Sequence, residues 1–519
     1  MKIPLNSFLL LMAGAAHALS VAWPFAFGLP QGQAVWWLQL ASLVLLYAQL
    51  ERAASWQAAA RSGWLFGLAS LSATFWWLYI SMHTYGGLSA VLSMLAVIVL
   101  AAALALVYAA ASAIFFSLKP TGSGTSALLF AASWTLAELA RGSWLTGFPW
   151  GAAGYAHIDG WLAGYAPWIG VYGIGAVAAW IAASLWRFIR CGHAQRLGLA
   201  FVFALPSLVA MNQGAAVATG PLLEVTLLQG NISQDEKFQP GTGVLDSLAW
   251  YGGQLRAATT ALVVAPETAI PVLPQQLSEG YWEHLQSTFT TAGAKPRAAL
   301  IGIPLGSMSD GYTNSVLGLE PGQVAPYQYD KQHLVPFGEF TPGLFKWFTR
   351  MMNIPLGDFN RGALVQPAFE WQGQRLAPNV CYEDLFGEEL GARFADPATA
   401  PTIFVNVSNL GWFGDSVAID QHLGIARMRS LEFDRPTLRA TNTGATVIID
   451  HRGVVTHSLP RLKRGALVGQ VQGMGLDAAT GWAITPYAAW VSRFGLWPLW
   501  SLALAVLALA YAQRRRSNR

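Results

Sequence analysis

Three residues of this chain have side chains able to do covalent chemistry together: Cys381, Glu267 and Lys331. Each sits in a short, distinctive segment. Val263-Val264-Ala265-Pro266-Glu267-Thr268 reads as a buried strand stopped by Pro266. Glu267 falls at its C-terminal mouth, where sites in α/β sheets lie. Tyr329-Asp330-Lys331-Gln332-His333-Leu334-Val335-Pro336-Phe337-Gly338-Glu339 places Lys331 and Glu339 around a compact Pro/Gly turn. Pro378-Asn379-Val380-Cys381-Tyr382-Glu383-Asp384 brings a cysteine out of a strand-like approach with two acids behind it. Acyl transfer through a thioester needs a nucleophile, a base for its proton and a donor for the tetrahedral oxyanion. Cys381, Glu267 and Lys331 match those needs in that order, with the backbone N–H of Tyr382 as a second donor. Lys331 would lower the pKa of the thiol, whereas a carboxylate alone would raise it. Taken singly, each has a plainer reading: a small core residue, a solvated loop acid, a surface charge. The three carry weight only together.

The elements that must position them alternate in character. Residues 222–229, 261–265, 298–303, 313–319, 402–407 and 446–449 are short, apolar or β-branched, and bounded by Gly, Pro or Asn, as strands are. Residues 281–292 and 419–433 read as helices between them. This alternation predicts a layered α/β domain with a mixed central sheet.

The rest of the chain is of another kind. Of 519 residues, 54% are hydrophobic and only 11% charged, against roughly 25% charged in soluble domains. The deficit is concentrated at the two ends. Seven apolar runs, about 7–28, 34–50, 63–81, 90–117, 126–140, 161–186 and 197–213, precede the α/β segment, and an eighth covers about 494–512. Glu138 and Arg141 suggest that the fifth run ends at an interface. The organisation expected is a transmembrane bundle over 1–214, an extramembrane α/β domain over 220–480, and a linker, C-terminal span and basic tail over 481–519. With Lys2 on the cytoplasmic side, one face of such a membrane receives Lys2, Arg52, Arg61, Lys119, Arg187, Arg190, Arg196 and the C-terminal arginines. The short loops of the other face hold only Arg141, as the positive-inside rule requires of the outer side. The first run, after Lys2 and with small residues at 13–18, also fits a cleaved signal. The net charge of +4 comes without a basic stripe interleaved with aromatics, which argues against nucleic-acid binding. Two cysteines, Cys191 and Cys381, make a disulfide framework unlikely, and the histidines lack metal-ligand spacing.

The Pro266-Glu267, Lys331-to-Glu339 and Cys381-Tyr382-Glu383 segments resemble, in order and spacing, the Glu-Lys-Cys signature of the nitrilase (carbon–nitrogen hydrolase) superfamily. The resemblance covers about 222–472. It implies a nitrilase-like αββα sandwich with Glu267 as base, Lys331 as oxyanion stabiliser and Cys381 as nucleophile. Within that superfamily the chain is most similar to the apolipoprotein N-acyltransferase family, which also carries a membrane bundle and a C-terminal span. Leu228-Gln229-Gly230-Asn231-Ile232, Leu334 to Phe340, Ser408-Asn409, Trp412-Phe413-Gly414, Ala440-Thr441-Asn442-Thr443-Gly444 and Thr146-Gly147-Phe148-Pro149-Trp150 carry that likeness. Phe238 departs from it, because some relatives have tryptophan there. By this resemblance Glu339, Tyr382 and Glu383 support the site.

What the resemblance implies is a two-step transfer without cofactor or metal. Cys381 takes an acyl group from a phospholipid, preferentially phosphatidylethanolamine, and passes it to the α-amine of a diacylated apolipoprotein. The enzyme would be a monomer in the bacterial inner membrane, with its catalytic domain facing the periplasm. Candidate substrate contacts are Trp412, Phe413, Asn314, Phe337, Trp150, Trp347 and Phe348. The last two belong to 344–357, an aromatic and Met-rich stretch that reads as an interfacial arm or as simple packing on the domain. Trp144, Trp150 and Tyr155 read as an interface belt. Two rival readings stay open: a membrane-bound amidase with water as acceptor, and a scaffold or transporter. The apolar runs hold few ionisable groups, which disfavours a transporter.

Overall fold

A computed structural model describes residues 5–119, 125–188, 196–198, 200–201, 204–205, 218–291, 295–323, 325–341, 358–475 and 484–517. The middle of the chain forms twelve strands: β1 (Ala218–Gln229), β2 (Leu262–Ala265), β3 (Ala298–Ser307), β4 (Gly311–Leu319), β5 (Tyr327–Asp330), β6 (Phe369–Trp371), β7 (Gln374–Val380), β8 (Ile403–Ser408), β9 (Thr437–Thr441), β10 (Val447–Ile449), β11 (Val455–Ser458) and β12 (Gly465–Met474). They make two six-stranded sheets, ordered β12-β1-β2-β3-β4-β5 and β11-β10-β9-β8-β7-β6. The single mixed sheet expected from the alternation of elements is therefore corrected to two. Each is parallel at its centre and antiparallel at its flanks.

Side-chain alternation explains how the sheets stack. Leu223, Val225 and Leu227 of β1 turn one way, with Leu262, Val264 and Leu300, against Leu376, Val380, Ile403, Val405 and Val407 of the other sheet. Leu228, Val263 and Ile301 turn the other way. There they meet Tyr251 and Leu255 of the helix Gly243–Ala257 and Leu285 and Phe289 of the helix Tyr281–Thr290. With both faces covered, the central strands read as unbroken apolar runs. Each buried aliphatic side chain there contributes about 1.5–3 kcal/mol.

The second sheet's outer face is covered by the helix Ala418–Phe433, which also joins the α/β unit to the helical part of the chain. Its Ile419 and Ala426 pack on Val447 and Ile449. Its Ile425 and Met428 enter the helical core instead. Two polar ties cross the same junction: Glu432 accepts the Val171 N–H at 2.7 Å, and Arg427 pairs with Asp159 at 2.6 Å.

The helical part comprises Leu5–Val21, Trp36–Glu51, Trp56–Phe75, Ala90–Leu104, Leu106–Leu118, Thr125–Ser143 and Ala166–Arg187, joined by Pro486–Phe494 and Trp497–Ser517 from the far end. By length and composition, two helices among the described residues suffice to cross a membrane, Ala90–Leu118 and Trp161–Trp186. The number rises to four if each of two bent pairs is one span. One of those pairs, Trp56–Phe75 with Leu78–Tyr85, bends by 59° and ends in a π-helical turn, Ser81–Tyr85. Most of the seventh apolar run, 197–213, lies outside the described residues.

Two expectations change here. Glu138 and Arg141 are not exposed at the end of their helix; both are buried and paired at 3.5 Å. Buried charge is tolerated there because each group has further partners. Glu138 accepts the Ala153 N–H at 2.9 Å, and Arg141 donates to the carbonyls of Phe148 and of Trp150, the latter at 2.8 Å. Arg141 thereby fixes the Gly147–Trp150 loop. Trp150 and Tyr155 likewise lie inside the protein, not in an exposed belt, whereas Trp144 is exposed. Pairing of Trp150 and Tyr155 with polar groups on the helix Ala418–Phe433 accounts for their burial.

Candidate active site

β2 ends at Ala265, and Glu267 follows Pro266 at the mouth of the first sheet. The turn is close-fitting: a Cβ on Gly302 of β3 would overlap the Pro266 carbonyl, so only glycine lets the two backbones approach. Lys331 follows directly on β5, and its N–H bonds the Asn314 carbonyl of β4 at 2.8 Å. Its Nζ donates to Glu339 Oε1 at 2.8 Å and lies 3.5 Å from Glu267 Oε1. Asn314 Nδ2 bridges the two carboxylates, 2.8 Å from each. Glu339 is held from its other oxygen by the Val335 N–H at 2.8 Å. Burial works to lower the Lys331 pKa, but Glu339, then Glu267 and Cys381, outweigh it and hold the ammonium well above its ordinary range.

Cys381 stands at the end of β7 with φ of 53°, a left-handed backbone that costs a non-glycine residue of order 1–3 kcal/mol. Its side chain is partly buried, with the Asn409 backbone N–H near the sulfur. Burial first, then Glu267, pushes the thiol up to about 12, against the pull of Lys331 and of that N–H. The expected lowering by Lys331 is present but outweighed. A resting thiol of this kind needs a base, and Glu267 is the carboxylate that acts on it most strongly.

Glu383 ties the nucleophile's strand to the lysine's loop. Its oxygens accept from the N–H groups of Gln332 at 2.7 Å, His333 at 3.2 Å and Val380 at 2.6 Å, and from Tyr329 Oη at 2.9 Å. Residues adjoining both Lys331 and Cys381 thus share one buried carboxylate. Glu383→Ala would strand those donors, and an expected loss of about 3 kcal/mol of stability follows. Thermal unfolding of the full chain in detergent measures it; an unchanged melting point would contradict the tie. Tyr382 turns towards the helical part, where its Oη donates to the Gly147 carbonyl at 3.1 Å.

The structure thus gathers Glu267, Lys331, Glu339, Asn314 and Cys381, with Tyr382 and Glu383 beside them. Asn314 lies among the carboxylates as their bridge. Phe413 packs on Trp77 at 4.3 Å and Trp150 at 6.2 Å, and Trp412 meets Tyr85 at 5.8 Å. Phe337 is exposed on the Pro336–Phe340 turn, with φ of 64°. Trp347 and Phe348, with the whole stretch 342–357, lie outside the described residues. Sequence reasoning misses Lys237, which is fully buried and donates to the Glu267 carbonyl at 3.0 Å. Burial lowers its ammonium to about 7, against the pull of Glu267 and Cys381. It lies in a turn with no flanking pattern; its only signal is its place beside the divergent Phe238. Arg439, buried in β9, is missed as well.

Two stacked sheets with helices on their outer faces, and a Glu-Lys-Cys cluster at the strand ends, define a nitrilase-like fold of the carbon–nitrogen hydrolase class. The Carbon-nitrogen hydrolase family model matches residues 224–478, and the model of the Apolipoprotein N-acyltransferase N-terminal domain matches residues 14–184. An apolipoprotein N-acyltransferase of Verminephrobacter eiseniae is 58% identical over 504 residues, covering 94% of this chain and 92% of its own. One from Ralstonia nicotianae is 43% identical, covering 93% and 90%. Among solved structures, the NitFhit protein of C. elegans is similar to 49% of this chain, over 62% of its own length, at 16% identity and a TM-score of 0.37. The chain belongs to the apolipoprotein N-acyltransferase family.

Proposed function

We propose that this protein moves a fatty acyl group from a phospholipid, preferentially phosphatidylethanolamine, to the N-terminal amine of the diacylglyceryl cysteine of apolipoproteins. Glu267 takes the proton of Cys381, and the sulfur attacks the ester carbonyl carbon. Lys331 and the Tyr382 N–H receive the oxyanion. Collapse breaks the carbon–oxygen bond, Glu267 returns the proton to the leaving glycerol oxygen, and a lysophospholipid departs. The neutral acceptor amine then attacks the thioester, Glu267 takes its surplus proton and passes it to the departing sulfur, and the Cys381 thiol is restored as the carbon–sulfur bond breaks. Glu339 and Asn314 hold Lys331 and Glu267 in register. Phe413 and Trp412 line the acyl path and Phe337 meets lipid at its mouth, with Trp347 and Phe348 as further candidate contacts to substrate.

The observation that carries this reading is the contact between the nucleophile's own turn and the apolar helical part. Tyr382 is bonded to Gly147, and its ring stacks on Phe148 at 6.3 Å. A hydrolase of small soluble amides has no need of such a neighbour; an enzyme drawing its acyl donor from a bilayer does. The same reading puts eight spans in the inner membrane, over 1–214 and 481–519. It leaves 220–480 in the periplasm and the protein a monomer.

Intact-mass spectrometry of the detergent-purified protein after incubation with phosphatidylethanolamine tests the proposal. The expected result is an acyl-sized gain on the wild type, absent from Cys381→Ser and discharged by a diacylated lipopeptide. Free fatty acid released without transfer would favour the amidase-like reading, with water as acceptor. A mass that never changes on folded protein would remove phospholipid as the donor.

A further inference from the structure

The carbonyl of Cys381 is held as firmly as its side chain is aimed. His422, fully buried on the helix Ala418–Phe433, reaches it with Nε2 at 3.2 Å, and Asn406 Nδ2 lies 3.5 Å away. The other ring nitrogen of His422 faces Arg439 Nη2. A guanidinium only donates, so Nδ1 is the bare nitrogen and Nε2 carries the hydrogen. Arg439 therefore selects the tautomer that donates to Cys381. Arg439 is anchored in turn by Asp384 at 3.0 Å and by Asn406 Oδ1 at 2.8 Å. Burial and the Arg439 charge hold the imidazole well below its ordinary pKa.

The ring is also clamped from the helical part. Trp150 lies flat on it, 5.2 Å between centroids and 10° between planes. Trp150 Nε1 donates to Gln421 Oε1 at 2.7 Å, and Trp77 Nε1 donates to the same oxygen at 3.0 Å. Gln421 and His422 are consecutive residues, so two tryptophans of the helical part fix the helix segment that holds the nucleophile's backbone.

We propose that His422 is a positioning residue for the nucleophile: its Nε2–H pins the Cys381 carbonyl, and so the left-handed backbone that aims the thiol at Glu267, while Trp150 keeps the ring in plane. This rests on the reading of Cys381 as the nucleophile. It assigns no role in binding either substrate, so its signature is a fall in the acylation rate at unchanged KM.

Two substitutions separate positioning from simple stability. His422→Gln places an amide N–H where Nε2 was and keeps the bond to Cys381. His422→Asn keeps an acceptor near Arg439 but is too short to reach that carbonyl. In single-turnover mass measurements with phosphatidylethanolamine vesicles, His422→Asn is expected to slow acyl-enzyme formation about a hundredfold, the cost of misplacing a reacting group by an ångström. His422→Gln is expected to stay within about tenfold of wild type, by the same reasoning on preserved geometry. Equal losses in the two variants, or a lower melting point with an unchanged acylation rate in His422→Asn, would overturn the proposal. If His422→Asn does not fold, Trp150→Leu carries the test, because it removes the clamp and leaves both hydrogen-bond partners of His422 in place. If the wild type itself takes up no acyl group, the donor reading fails and the positioning proposal is read from alkylation of Cys381 by iodoacetamide, followed on its peptide. Alkylation slowed in His422→Asn and retained in His422→Gln supports it; one rate in all three proteins overturns it.

Discussion

Glu267→Gln is expected to slow acyl-enzyme formation about ten-thousand-fold at pH 7, the upper range for loss of a general base, and to make the residual rate climb with pH. Burial and Glu267 hold Cys381 at about 12, so unassisted thiolate at pH 7 is about one part in a hundred thousand. The wild type avoids that penalty if Glu267 removes the proton as the sulfur attacks. Glutamine cannot accept it, and the variant must wait for the rare free thiolate. Its rate should therefore rise about tenfold per pH unit through the alkaline range, because each unit raises the thiolate fraction tenfold. The rise should level off below 12, since the substitution also removes a carboxylate that raises the thiol. Stability should change little: glutamine is nearly isosteric, and Lys331 keeps its 2.8 Å bond to Glu339. Single-turnover intact-mass rates between pH 6 and 10, compared with wild type, make the test. A rate within tenfold of wild type at pH 7, or one flat in pH, would show that Glu267 is not the base.

The sequence made visible those parts of the fold that both sheets bury. β1, β2, β3, β4, β8 and β10 each hold a run of apolar or β-branched residues, and their segments stand out. β7, which leads to the nucleophile, shows only its end, as a strand-like approach to Cys381. Arg375, Pro378 and Asn379 interrupt its pattern, and it survives as a strand because β8 pairs with it in parallel from Leu376 to Val380. β9 is hidden by Arg439, whose charge reads against a buried strand until Asp384 and Asn406 are seen beside it. β5 and β12 alternate with exposed polar or glycine positions and look like loop. Two sheets cannot be told from one by such patterns, because alternation says which residues face inward but not what they face.

The site divides in the same way. Glu267, Lys331 and Cys381 each follow a strand and sit among turn residues, so their segments are legible. The residues that hold them come from elsewhere. Asn314 lies mid-strand in β4, Lys237 in an unpatterned turn, and His422 and Gln421 on a helix that the sequence shows only as a helical stretch. Their roles depend on approaches between positions far apart in the chain, such as Trp150 with Gln421 and Tyr382 with Gly147. No local pattern encodes those approaches.

Lys331→Met should be the most damaging single change to stability and activity together. Lys331 is the only cation bonded directly to the Glu267 and Glu339 side chains among the described residues. Without it, two buried carboxylates share the Asn314 amide, with the Val335 N–H on the far side of Glu339. Breaking a buried pair by deleting one partner costs about 3–5 kcal/mol. Loss of an oxyanion donor alone costs about a hundred- to a thousandfold in rate. At neutral pH the wild type has the full benefit of the pair. A lysine whose folded pKa is raised contributes stability that is complete below its unfolded value of about 10.4 and is lost only as pH rises through the folded one. The double variant Lys331→Met/Glu339→Gln separates the two effects. Removing one carboxylate relieves the uncompensated charge, so most of the melting temperature should return. Acylation should not, because only the Tyr382 N–H then faces the oxyanion. If the double variant acylates within tenfold of wild type, Lys331 serves charge balance alone, and the oxyanion must be held by backbone N–H groups.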